Sequence, residues 1–104
     1  MKARQGDVLI LSVEAIPDGL RRSEQDGPTI RLAEGEATGH NHSIATEDVV
    51  DCFADDATGA IFLRTIRQSV VTHPEHGPIT LPPGTYRITR QREYSPEEIK
   101  RVSD

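Results

Sequence analysis

A chain of 104 residues has room for one domain and not for two. Its formal charge of −5 and pI near 5.3 argue against nonspecific nucleic-acid binding, which gains affinity by setting Lys and Arg against phosphates. A single cysteine, Cys52, excludes an intrachain disulfide and any zinc-ribbon spacing.

Residues Met1 to Asp7 lead into only six or seven apolar-rich positions. That is shorter than the apolar region of a signal peptide and far shorter than a membrane span, so the expectation is a cytoplasmic protein. Ile, Leu, Val and Phe total 24 residues, just above the fraction of about 20% below which disorder is favoured. The core is therefore thin, and burial of further surface in a homo-oligomer is expected.

Val8 to Val13 is a short apolar run that reads as a buried strand. Pro17 to Pro28, with two prolines and two glycines, reads as the longest surface loop. Thr29 to Leu32 alternates apolar and polar residues and reads as a half-buried strand. After the turn Glu34-Gly35-Glu36, a strand from Ala37 to Ala45 carries His40 and His42. Val49–Phe53 and Ala60–Ile66 are two strands joined by Ala54-Asp55-Asp56-Ala57-Thr58-Gly59, where Asp and Gly tolerate positive φ. Ser69–His73 and Ile79–Leu81 are brief strands separated by Pro74 and Gly77-Pro78. Pro82-Pro83-Gly84 suits a type II-like turn before the last strand, Thr85 to Glu93.

Ser95-Pro96-Glu97-Glu98 carries a helix start: Ser95 caps, Pro96 takes the first helical position and Glu98 completes a capping box. A helix over about 96–102 follows. Some eight short strands between turn residues predict an all-β fold, a small antiparallel barrel or sandwich with a short C-terminal helix, in one domain spanning 1–104.

From Leu32 to Leu63 there is no Lys or Arg, while Glu34, Glu36, Glu47, Asp48, Asp51, Asp55 and Asp56 all fall inside. Such a stretch is either a solvated face or a negative field that attracts a cation. Cys52 lies among apolar neighbours and reads as a buried, inert thiol.

Every histidine belongs to one of two short segments, Gly39-His40-Asn41-His42 and His73-Pro74-Glu75-His76-Gly77. Residues two apart on a strand share a face, so His40 and His42 can converge on one point. His73 ends a strand and His76 lies in the following turn, so either ring can be aimed back. Such a set suits Zn, Fe, Mn, Ni or Cu, with Glu47 and Glu75 as carboxylate candidates. In an enzyme the metal would act as Lewis acid or activate water, with one histidine or Glu75 moving protons.

The stretch Gly39-His40-Asn41-His42-Ser43-Ile44-Ala45-Thr46-Glu47 resembles the first metal motif of cupins, and Pro82-Pro83-Gly84 resembles the turn of their second motif. That resemblance implies a small antiparallel barrel with His40, His42 and Glu47 as ligands. Where the second motif places its last histidine, this chain has Thr85-Tyr86-Arg87. The wider pattern, GHxH followed by HxEHGPIxLPPGxY, resembles a family of short uncharacterised bacterial proteins. Two functions follow as expectations: a small metal-binding β protein, or a non-catalytic module that assembles with itself or with another protein and uses its histidines structurally.

Overall fold

A computed structural model describes residues 1–23, 27–33 and 41–90. The expected helix over 96–102, the end of the last strand and His40 lie outside the described residues. Within them the chain forms ten strands: β1 (Lys2–Gln5), β2 (Val8–Ser12), β3 (Arg21–Arg22), β4 (Thr29–Ala33), β5 (His42–Ala45), β6 (Val49–Asp55), β7 (Ala60–Thr65), β8 (Ser69–Val71), β9 (Ile79–Leu81) and β10 (Gly84–Arg90). A short 3₁₀ turn, Thr46–Asp48, joins β5 to β6.

Six strands pair antiparallel in the order β1-β2-β10-β7-β6-β3, while β4-β5 and β8-β9 form two-stranded ladders. The mostly β, antiparallel expectation holds. The barrel does not: the six-stranded sheet is open, with β1 and β3 at its edges.

Alternation along the strands builds the core, because successive side chains of a strand point to opposite faces. Val8 and Ile10 of β2, Cys52 of β6, Leu63 of β7 and Tyr86 and Ile88 of β10 come from the large sheet. Ile30 and Leu32 of β4, Ile44 of β5, Val71 of β8 and Leu81 of β9 complete the same cluster from the two small ladders. Register sets the contacts, with Ile88 opposite Ile10 and Tyr86 opposite Leu63. The run Val8-Leu9-Ile10-Leu11 is thus not buried throughout; Val8 and Ile10 are enclosed while Leu9 and Leu11 are half-buried.

Two turns follow their chemistry. Asp55 accepts from the backbone of Ala57, Thr58 and Gly59, and Gly59 takes φ 79°. Gln5 pairs with Val8, leaving Gly6-Asp7 as a two-residue hairpin with Gly6 at φ 58°. Glycine at the first central position is what a type II′ turn demands. Gly84, by contrast, has no positive φ and opens β10 instead of sitting in a type II turn.

Candidate functional site

The histidines meet because of one short piece of pairing. Ser43 and Thr72 exchange backbone hydrogen bonds of 3.0 and 2.9 Å in an isolated antiparallel bridge. The same register sets His42 across from His73, the residue after Thr72. His42 also shares the inward face of β5 with Ile44, two residues on, so its ring is buried, at 1% exposure. His73 is half-buried and His76 exposed, both on the β8–β9 connection. The ring centroids lie 4.4 Å apart for His42 and His73, 4.6 Å for His73 and His76, and 6.4 Å for His42 and His76.

The β1–β2 hairpin closes the cluster from the other side. A Cβ on Gly6 would stand 2.6 Å from Nε2 of His76, so the third imidazole packs directly on the glycine backbone. Gln5 is buried, and its amide joins Val71 and Gly77 of the β8–β9 region to Nδ1 of His42. Asp7 offers Oδ1 to Nε2 of His42 at 3.2 Å, and Nε of Arg90 donates to its other oxygen. The backbone N–H of Glu75 donates to Nδ1 of His73 at 3.0 Å, shaping the turn between His73 and His76.

Burial pushes the His42 imidazole below its ordinary range; its contact with Asp7 opposes this, and the neighbouring His73 and His76 add to it. Burial alone would raise the Asp7 carboxyl, but hydrogen bonds from Arg90 and His42 outweigh it and hold the carboxyl below the usual range. Desolvation raises the Cys52 thiol, as its apolar neighbours predict for an inert cysteine.

Of the expected ligands, His42, His73 and His76 come together. Glu47 does not join them: it is exposed in the 3₁₀ turn beyond the far end of β5. Glu75 is exposed between the two loop histidines. No group of three or more His, Cys, Asp or Glu among the described residues already stands in position to hold a metal ion. Three carboxylates of the acidic middle meet arginines, with Asp51 bridging Arg22 and Arg64, Asp56 meeting Arg21 and Asp48 meeting Arg67. No helix among the described residues is long and apolar enough to cross a membrane.

Gln5, Gly6 and Asp7 were not singled out by sequence reasoning. The Gly-Asp pair is itself a two-residue hairpin signal, but the residues before it carry no strand alternation to complete the pattern.

Residues 4–91 match the family described as Domain of unknown function (DUF8820). The chain belongs to that family. The matched stretch of this DUF8820 domain includes the whole network, from Gln5 through His42, His73 and His76 to Arg90. No curated protein and no solved structure matches it.

Proposed function

We propose that this DUF8820 domain is a small metal-binding β protein whose ion is taken by His42, His73, His76 and Asp7. The observation that carries the reading is the pairing of Nε2 of His42 with Oδ1 of Asp7 at 3.2 Å, inside a packing of three imidazoles. Two donor atoms each about 2.1 Å from one ion, at an angle of about 90–110°, lie about 3.0–3.4 Å apart. His42 and Asp7 are therefore spaced as neighbouring ligands. His76, exposed, and His73, half-buried, complete the set by rotating on their loop; exposed side chains change rotamer within nanoseconds. Imidazole with one carboxylate suits Zn, Fe, Mn, Ni or Cu.

Elemental analysis of protein purified without a histidine tag tests this directly. Stoichiometric metal that is lost in His42→Gln and in Asp7→Asn is expected. Protein that stays metal-free when each of these ions is added would overturn the reading.

The second reading is a module that assembles with itself or with another protein, its histidines structural. It is favoured by the exposure of Val50, Ile66 and Val70, at 38, 51 and 42%, and by side chains of this chain, Gln5 and Asp7, that already stand against both ring nitrogens of His42. Sedimentation of the metal-free protein separates the two: a concentration-dependent dimer or larger ring supports assembly, and a monomer at all concentrations removes self-association.

A further inference from the structure

Gln5 is 2% exposed, and its side-chain amide meets three groups. Nε2 lies 3.0 Å from the carbonyl oxygen of Val71 and 2.8 Å from that of Gly77. Carbonyl oxygens only accept, so the amide nitrogen must face them; the flipped amide would set its oxygen against both. Oε1 is thereby committed to accepting, and its partner at 2.8 Å is Nδ1 of His42. That ring nitrogen must therefore carry a hydrogen. In a neutral imidazole the other nitrogen then holds the lone pair, and here Nε2 faces a carboxylate oxygen of Asp7. In the neutral ring two acceptors thus face each other, and the contact becomes a favourable one when a cation, either a proton on Nε2 or a metal ion, joins them.

We infer that Gln5 is a positioning residue that holds His42 as the Nδ1–H tautomer and so presents Nε2, beside Asp7, as the ring's ligating atom. The backbone of a separate strand and loop sets this orientation. Val71 and Gly77 fix the amide, the amide fixes the imidazole, and the imidazole aims at Asp7. Ligand histidines elsewhere are commonly held by a hydrogen bond from the second ring nitrogen, and loss of such a partner costs about 10–100-fold in metal affinity. The tautomer itself stands independently of any metal; only its consequence for affinity rests on the metal-binding reading above.

Long-range ¹H–¹⁵N correlation of the imidazoles in chelator-treated, ¹⁵N-labelled protein, at a pH where His42 is neutral, tests the inference. His42 is expected as Nδ1–H in the unaltered chain and in Asp7→Asn. Gln5→Met, which offers Nδ1 no acceptor, is expected to shift His42 to Nε2–H, donated to Asp7. Gln5→Glu, as the neutral carboxylic acid, keeps a carbonyl oxygen for Nδ1 and an O–H for one of the two backbone carbonyls, and in that form is expected to restore the original tautomer. An Nε2–H tautomer in the unaltered chain overturns the inference, as does one in Asp7→Asn or an unchanged tautomer in folded Gln5→Met. Should Gln5→Met not fold, the unaltered chain and Asp7→Asn decide the matter alone. Titration with Zn²⁺ then reads the consequence, a weakening of about 10–100-fold in Gln5→Met. Failure of the unaltered chain to bind any of the ions named above would remove the metal reading and leave the tautomer result standing.

Discussion

Leu63, Ile88 and Ile10 are enclosed to within 1% of full burial, and so are Gln5 and His42 to within 2%, yet the two sets are held by different physics. The apolar set gains from leaving water and from dispersion contact, and neither effect is directional. The polar set loses hydration on burial and stays stable only where every donor finds an acceptor. Among the described residues every buried side-chain nitrogen and oxygen does find a partner. An apolar core therefore tolerates small shifts, while the Gln5–His42–Asp7 chain depends on orientation at each link.

The sharpest way to break the comparison is on the apolar side. Leu63→Ala removes a fully buried side chain and is expected to cost about 2–5 kcal/mol by denaturant unfolding. A loss well under that would mean the sheet collapses around the cavity and that this core is looser than its burial implies.

At the seam between the two regions, Gly6→Ala places a Cβ 2.6 Å from Nε2 of His76 on a residue at φ 58°. The backbone strain alone is worth about 1–2 kcal/mol, and the clash must also displace His76. Unfolding should register the first effect, and loss of the His73–His76 ring contact in the NMR spectrum the second. Unchanged stability and ring shifts would contradict the packing described.

A subtler test uses protons. The folded-state pKa of His42 is depressed, so below its ordinary value near 6.5 the unfolded chain binds more protons than the folded one. Stability is then fully present above that pH and lost as pH falls through it. The depressed carboxyl of Asp7 acts in the same sense in a lower window, below its ordinary value near 3.8. In chelator, Tm should fall between pH 7.5 and 5, and His42→Gln should flatten that slope. A flat profile in the unaltered chain would show that His42 is not held neutral by burial.

The smallest effect belongs to the surface. Arg21 and Asp56 form a hydrogen-bonded pair, but both are well exposed, and water and salt screen such pairs. Arg21→Ala should leave the unfolding midpoint where it was. A clear shift would make the β3 edge more important to the fold than its two residues suggest.

Most of the strands were legible because alternation and turn residues are local signals. Thr29–Leu32, Val49–Phe53, Ala60–Ile66 and Ile79–Leu81 correspond to β4, β6, β7 and β9 within a residue or two. β1 was not, since Lys2-Ala3-Arg4-Gln5 carries no apolar alternation and is a strand only by pairing with β2. The two-residue β3 is a strand for the same reason, through its pairing with β6. The likeness to cupin motifs pointed to Glu47, but the chain turns away after Ala45, and the carboxylate beside His42 comes from Asp7.

Residue order by itself determined a mostly β chain with two histidine segments, because periodicity, turn chemistry and composition act over a few neighbours. Which histidines meet, and which amide and carboxylate hold them, was decided only in three dimensions. Gln5 is 37 positions from His42 and 66 from Val71, and Arg90 is 83 from Asp7. No local pattern records such distances. They are fixed when the Ser43–Thr72 bridge and the tight Gly6-Asp7 turn bring separate strands to one place, where burial makes each unmet hydrogen bond costly.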